Sequence, residues 1–369
     1  MRNLFAFFIF LLPFTCLAQY SISGRVIDLA DKKPVADASV FLNNATVGTK
    51  TADNGTFTIN SVRPGQYDLV VSIVGYETYH QAVMVNNNIS LPDIQVLAKT
   101  IQLKEVRIGP NRNWDRDYET FKRLFFGVSD YTDQCKILNP DVLDLDFNPS
   151  TLVFSAKSSD FIVIENNALG YRIKYLLSEL TNDSRSGELY FEGSASFEEM
   201  KGSEAKQRRW KKNRLNAYLG SSMHFLRSAI SNTITTEGFK AFRLIRKPDP
   251  KYPAGAKRYI QTLVNKPLSV SDMVKLTDIK GQFALGFDDC LYIAYNKKFR
   301  DTSNTKNKGP ATIPVPDYLS DPQTTIVVFI EPYAFFDFNG IIINPRSIIY
   351  NGDWGKSRIA ELLPVDYVP

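Results

Sequence analysis

The chain has 369 residues, more than one ordinary hydrophobic core holds, so its length points to two folded units. With 44% hydrophobic and 22% charged residues, a disordered, collagen-like or heptad-dominated chain is excluded. A formal net charge of +5 from 44 basic and 39 acidic residues is mild, and with 12% aromatic residues it favours packed sheets and recognition surfaces over nucleic-acid binding.

The first element is a leader. Arg2 supplies a short positive region, Leu4 to Leu12 is an apolar run, and Cys16-Leu17-Ala18 places small residues before Gln19, the pattern of a signal peptide over residues 1–18. The apolar run is about half the ~20 residues that cross a bilayer, which argues against an anchor. Lipidation of Cys16 would need a small residue just before it, and Phe14-Thr15 does not provide one. The expectation is an exported protein of the periplasm, the outer-membrane surface or the cell surface, with no transmembrane segment in the mature chain. Removal of the leader leaves Cys135 and Cys290, and an oxidising compartment permits a disulfide between them. That bridge would close a loop of about 155 residues and add ~4–5 kcal/mol on the chain-entropy model. Two separately buried thiols are the alternative.

Residues 20–108 read as short strands punctuated by turns. Ser21 to Asp28, Ala38 to Leu42, Val47 to Thr51, Thr56 to Ile59, Tyr67 to Ile73 and a run from Gly75-Tyr76 to Val85 are apolar or alternating, and Asp53-Asn54-Gly55 and Pro64-Gly65 carry turn chemistry. So many strands without an intervening amphipathic helix predict an antiparallel β-sandwich. The strings Ser23-Gly24-Arg25-Val26, Ala38-Ser39-Val40, Thr51-Ala52-Asp53-Asn54-Gly55-Thr56-Phe57, Tyr67-Asp68-Leu69 and Val74-Gly75-Tyr76 resemble the carboxypeptidase-regulatory-like domain. Leu103-Lys104-Glu105-Val106 resembles that module's closing strand. The resemblance implies a transthyretin-like sandwich of the kind found beside exported peptidases and at the N-termini of Bacteroidetes envelope proteins. It implies no activity, because one fold serves many functions.

The chemistry of a zinc carboxypeptidase fails by counting. Three first-shell ligands, including a His-x-x-Glu pair, must hold the metal. The two histidines, His80 and His224, are followed by Gln81-Ala82-Val83 and Phe225-Leu226-Arg227. The run Asp141, Asp144, Asp146 and Asn148 superficially matches a calcium loop, but Pro149 stands at the required glycine and Ser155 at the bidentate glutamate, so a plain loop is predicted. Phosphate cradles and nucleophile elbows have no local signature, and no cofactor or metal is implied.

Beyond Pro110 a second domain, residues 111–369, reads as β-rich α+β. Trp114 to Phe126 has helical spacing and Gly127 as a stop. Thr151 to Ile164, Tyr171 to Leu177 and Leu189 to Ser194 read as strands. Residues 204–231 predict one helix, with Leu215, Tyr218, Leu219, Phe225, Leu226, Ala229 and Ile230 on a buried stripe and Ala217, Gly220, His224 and Ser228 opposite it. Its start holds Lys206, Arg208, Arg209, Lys211, Lys212 and Arg214, either a solvated helix start or a site for an acidic partner or phosphate headgroup. His224 and Arg227, on the small-residue side, either pack against a sheet or line a cleft. Arg214, His224 and Arg227 are therefore the candidate binding residues. Short aromatic strands from Tyr259 to Tyr350, interrupted by an exposed loop over 300–324, lead to a short amphipathic helix from Trp354 to Pro364. Together with Ala217-Tyr218-Leu219-Gly220-Ser221 and His224-Phe225-Leu226-Arg227-Ser228, this ending resembles the extension found in Bacteroidetes envelope proteins carrying the same module, a resemblance that implies no activity.

Two classes of function follow. One is a non-catalytic envelope protein that recognises a peptide, a glycan or an outer-membrane partner through aromatic and basic groups. The other is a hydrolase with a carboxylate-based site in the second domain, which needs no histidine. An outer-membrane barrel fits less well, because regular alternating segments of ~10 residues are missing.

Overall fold

A computed structural model describes residues 19–99, 113–253, 258–295 and 323–369. The predicted leader, the closing strand near Leu103 to Val106 and the loop over 300–324, save for Gln323 and Thr324, lie outside these residues.

The N-terminal unit is a two-sheet sandwich. Its strands are β1 (Tyr20–Asp28), β2 (Ser39–Leu42), β3 (Gly48–Lys50), β4 (Thr56–Val62), β5 (Gly65–Ser72), β6 (Tyr79–Val85), β7 (Ile89–Ser90) and β8 (Ile94–Val96). One sheet runs β4-β1-β7 with β8 also on β1, and the other β3-β2-β5-β6. Alternation makes the core: β4 buries Phe57, Ile59 and Val62 against Ile22, Val26, Leu42, Leu69 and Val71 while Thr56 and Thr58 face water. Most pairings are antiparallel, as expected. The two late strands differ, because β7 and β8 run parallel to β1. After β6 the chain passes to the opposite sheet, and no hairpin turn fixes an antiparallel register there. At the Asp53-Asn54-Gly55 turn, Gly55 has φ +76° and a Cβ there would lie 2.4 Å from the carbonyl of Val26.

The second unit opens with α1 (Trp114–Phe126), which buries Phe121, Phe125 and Phe126 on a six-stranded sheet. That sheet contains β9 (Cys135–Ile137), β10 (Leu143–Asn148), β11 (Val153–Ser158), β12 (Ile162–Asn166), β13 (Tyr171–Asp183) and β14 (Glu188–Glu199). Strand β13 is its axis: β14 pairs along its full length, while β11 and β12 share the other edge. Asp144 and Asp146, expected in a loop, sit on the exposed face of β10, where alternation with buried Leu143 and Leu145 sends them to solvent.

Residues 204–231 form two helices, not one. α2 (Glu204–Tyr218) ends at Leu219, Gly220 takes φ +83°, and the Oγ of Ser221 caps α3 (Ser222–Ile230) by accepting from the His224 N–H. A Cβ at Gly220 would lie 2.8 Å from the Tyr295 ring. Ala217 on α2 and His224 and Ser228 on α3, expected opposite the buried stripe, are all buried, while Leu215 on α2, expected on the stripe, is 38% exposed.

The remainder comprises β15 (Phe239–Pro248), β16 (Tyr259–Pro267), α4 (Val270–Met273), β17 (Val274–Leu276), β18 (Gln282–Leu285), β19 (Cys290–Tyr295), β20 (Thr324–Phe329), β21 (Ala334–Asp337), β22 (Ile348–Gly352) and α5 (Asp353–Lys356). A five-stranded sheet, β16-β15-β19-β20-β22, and a three-stranded one, β17-β18-β21, enclose α3 in a shared core built on Phe225, Phe239, Phe336 and Trp354. The predicted helix from Trp354 to Pro364 is the single turn of α5 followed by a 3-10 turn at Ile359–Glu361, because Trp354, Ile359, Ala360 and Leu363 must be buried against different neighbours.

Of the two alternatives the sequence leaves open for the cysteines, a bridge or separate thiols, the structure has the second. Cys135 and Cys290 are both free thiols. Cys135 on β9 packs against the core around α1, whereas Cys290 on β19 belongs to a separate small cluster with Leu244 and Tyr292. Burial pushes the Cys135 thiol up to about 12 and raises that of Cys290.

Candidate functional site

The two units meet edge on. The connection between β2 and β3 lies beside β14: the Asn44 N–H donates to the Ala195 carbonyl at 2.7 Å and the Phe197 N–H to the Ala45 carbonyl at 3.0 Å. The last residues of the chain close the other side. Val365 N–H donates to the Asn44 carbonyl at 2.6 Å, Thr46 donates to the Asp366 carboxylate through its backbone and its hydroxyl, and Arg63 reaches the Asp366 carbonyl at 2.9 Å. Val365 itself packs into the sandwich core.

Where these parts meet they leave a cleft of about 670 Å³. Its walls come from β5 and β6 of the sandwich, from β13 and β14, from the start of α3 and from the segment after β21. A volume of this size suits a small ligand, for which sites run from about 300 to 1,000 Å³. The lining mixes amide, hydroxyl and charged groups (Asn43, Gln66, Asp68, His80, Ser178, Glu192) with the rings of Tyr67, Tyr175 and Phe191.

Asp68 and His80 are its most organised polar pair. Tyr67 and Leu69 turn inward on β5, so Asp68 between them faces out, and the β5–β6 register sets it diagonal to His80. His80 Nδ1 lies 2.9 Å from Asp68 Oδ2, and Asn43 Nδ2 donates to the same oxygen at 3.1 Å. The hydrogen bond to Asp68 holds the imidazolium and raises the His80 pKa. Among the described residues no hydroxyl or thiol bonds the other ring nitrogen, so the pair is an oriented imidazole without an attached nucleophile.

The other carboxylates of the cleft are already engaged. Asp337 accepts from the Asn339 and Ile341 N–H groups at 3.0 Å each and from Asn339 Nδ2 at 3.1 Å, while burial raises its pKa. Glu192 accepts from the Tyr190 hydroxyl and Glu361 from Ser357. Among the described residues no cluster of three or more His, Cys, Asp or Glu could hold a metal ion.

None of the three residues singled out from the sequence lines this cleft. Arg214 is half-buried, gives its guanidinium to the Leu169 carbonyl at 2.7 Å and to Glu199 at 2.8 Å, and lies 3.9 Å over the Tyr171 ring. His224 is enclosed by Tyr218, Phe239 and Tyr295, accepts from the Gly220 N–H at 3.2 Å and meets Glu237 at 3.3 Å. Arg227 donates to three carbonyls, those of Asn339, Tyr367 and Val365, at 2.9, 2.9 and 2.7 Å. All three hold the fold together. Of the residues missed, Asp68, His80 and Glu192 lie on outward faces of strands and Asn43 in the turn after β2, and the one local signal was two polar residues at diagonal positions of a hairpin.

Residues 22–108 match the family model of the CarboxypepD_reg-like domain. The sandwich is a CarboxypepD_reg-like domain. Its β3-β2-β5-β6 sheet carries the Asp68–His80 pair, so the CarboxypepD_reg-like domain supplies one wall of the cleft and the remainder of the chain the other. No curated protein matches the chain. Among solved structures, the chain is similar over 21% of its length to a type II cohesin–X-dockerin complex from Acetivibrio cellulolyticus, at 23% identity and a TM-score of 0.20, and spans 58% of that chain. A putative carbohydrate binding protein from Bacteroides uniformis matches at 12% identity and a TM-score of 0.18, over 42% of this chain and 57% of that one. A DUF3823 family protein from Parabacteroides merdae matches at 12% identity and a TM-score of 0.17, over 48% of this chain and 80% of that one. Among the described residues no helix is long and apolar enough to cross a membrane.

Proposed function

We propose that this is an exported envelope protein that binds a short peptide or an oligosaccharide in the cleft between its CarboxypepD_reg-like domain and its second unit, without transforming it. The observation that carries this reading is the joint construction of the cleft, in which Asn43, Asp68 and His80 of one unit face Ser178 and Glu192 of the other across about 670 Å³. Amide, hydroxyl and carboxylate groups beside aromatic rings are the groups that grip peptide amides and sugar hydroxyls. The leader predicted over residues 1–18 supports export.

The second reading is a hydrolase working through paired carboxylates. Glu192, Asp337 and Glu361 share this cleft, which favours it, but each accepts a hydrogen bond from a neighbouring donor within the protein. A general acid and base would have to reach the scissile bond directly.

A thermal-shift screen separates the two. Oligosaccharides of two to six sugars and tri- to pentapeptides are tested against the full chain, with product analysis of each stabilising compound. A ligand at a hundred times its Kd should stabilise by about 2.7 kcal/mol. Stabilisation with the compound recovered intact supports binding, and turnover of the compound supports the hydrolase.

A further inference from the structure

The β15–β16 hairpin is charged unlike the rest of the chain. Its described residues between 240 and 267 carry seven cations, Lys240, Arg243, Arg246, Lys247, Lys251, Arg258 and Lys266, against the single carboxylate of Asp249, whereas the whole protein is only +5. Arg243 alone among them is tied to a carboxylate within the described residues, Asp289 at 2.6 Å. Strand β19 pairs with β15 only from Phe239 to Leu244, so from Ile245 to Pro248 β15 is paired with β16 alone, in a two-stranded extension.

That extension also exposes apolar groups. Tyr252 is 49% exposed, Tyr259 38% and Ile260 53%, beside exposed Lys247, Lys251 and Arg258. The rings and cations are interleaved: Arg246 lies 4.8 Å from the Tyr259 ring centroid and Arg258 5.6 Å from that of Tyr252. The basic start of α2 is a useful contrast, since Lys206, Lys211 and Lys212 are exposed there while its one aromatic residue before the helix end, Trp210, is buried.

We infer that the far end of this hairpin, around Lys247, Lys251, Tyr252, Arg258, Tyr259 and Ile260, docks on an anionic lipid surface. Cations draw such a segment to acidic headgroups, and Tyr and Ile gain by entering the boundary between headgroup and acyl chain. A soluble polyanion would neutralise the cations and leave Tyr252, Tyr259 and Ile260 in water, so the exposed apolar groups favour lipid. The inference stands on the hairpin and does not depend on the cleft.

The test is sedimentation of the full chain with vesicles of phosphatidylcholine alone or with 30 mol% phosphatidylglycerol (an experimental setting of roughly the acidity that gives such surfaces their potential). Three proteins are compared: wild type, Lys247→Gln/Lys251→Gln/Arg258→Gln, and the control Lys206→Gln/Lys211→Gln/Lys212→Gln, which has the same net charge as the first variant. The expected result is preference for the acidic vesicles, a loss on the order of a hundredfold in the hairpin variant and a much smaller loss in the control, at about fivefold per surface cation. Tyr252→Ala/Ile260→Ser, whose exposed positions leave the thermal melt unchanged, should weaken binding to the acidic vesicles by about tenfold or more and leave binding to dextran sulfate as it was. Equal losses in the two charge variants, equal binding to neutral vesicles, or an apolar variant that binds acidic vesicles as wild type does would each overturn the proposal. In the last case, tight binding to dextran sulfate would assign the hairpin to a soluble polyanion instead.

Discussion

Asn43 donates its side-chain N–H to Asp68 at 3.1 Å while its carbonyl oxygen accepts from the backbone of Ala195 at 3.0 Å, so one amide joins the imidazole-bearing face of the sandwich to β14 of the second unit. Docking of the units and organisation of the cleft are thereby the same event. Asn43→Ala removes both bonds and leaves the Ala195 N–H without its partner, so we predict a loss of about 1–2 kcal/mol of stability. Chemical denaturation checks the loss, and faster hydrogen exchange at the Ala195 amide locates it.

Asp68 sets the titration of His80. His80 should titrate above the ordinary histidine value of about 6.5 and fall back toward it in Asp68→Asn. Because the folded pKa is raised, the pair's contribution to stability is fully present below about pH 6.5 and is lost as pH rises through the folded value. Both side chains are partly exposed, 47% and 37%, so screening keeps that contribution under ~1 kcal/mol. NMR titration of the two histidines reads the shift. An unchanged His80 in Asp68→Asn would contradict the assignment.

Arg227 holds the chain's end. Its guanidinium serves the carbonyls of Asn339, Val365 and Tyr367, and Val365 in turn bonds Asn44 of the sandwich. Arg227→Ala should cost roughly 3 kcal/mol, more than one charged hydrogen bond because three acceptors lose their donor together. Arg227→Lys should recover little, since an ammonium cannot reproduce the planar fork. Urea midpoints of the three proteins decide it.

The thiols give a chemical check on the fold. Cys135 and Cys290 should react with a thiol reagent only as the protein unfolds, because burial keeps both protonated and covered. Mass spectrometry without reductant should find no cross-link between their peptides; a native Cys135–Cys290 bridge would contradict the packing of β9 and β19.

Much of the sandwich was legible because its signals are local. Asp53-Asn54-Gly55 and Pro64-Gly65 mark turns, and the alternation of β4 says which face of Thr56–Val62 is inside. In the second unit the signals compete. Ala217, His224 and Ser228 look like a small, open helix face, yet all three are buried; the helix breaks at Gly220, which puts His224 and Ser228 on the separate α3, and the Tyr295 ring, distant in sequence, leaves no room there for a Cβ. Arg214 and Arg227 look like binding cations, but their acceptors are the carbonyls of Leu169, Asn339, Val365 and Tyr367, and no spacing announces a backbone acceptor so far along the chain. The cleft was illegible for the same reason: Asn43, Asp68 and His80 acquire a facing wall only when β14 and residues 363–367 dock on the sandwich.

The most direct measurement is calorimetric titration of the best-stabilising oligosaccharide or peptide into the wild type and into Ser178→Trp. Ser178 is exposed on β13 and lines the cleft, so an indole there fills ligand space without entering the core. A ligand held in the cleft should bind the wild type saturably and one to one, lose at least tenfold in Ser178→Trp with an unchanged thermal melt, and lose comparably in Asp68→Ala. Binding that is indifferent to both substitutions would contradict the cleft as the ligand site.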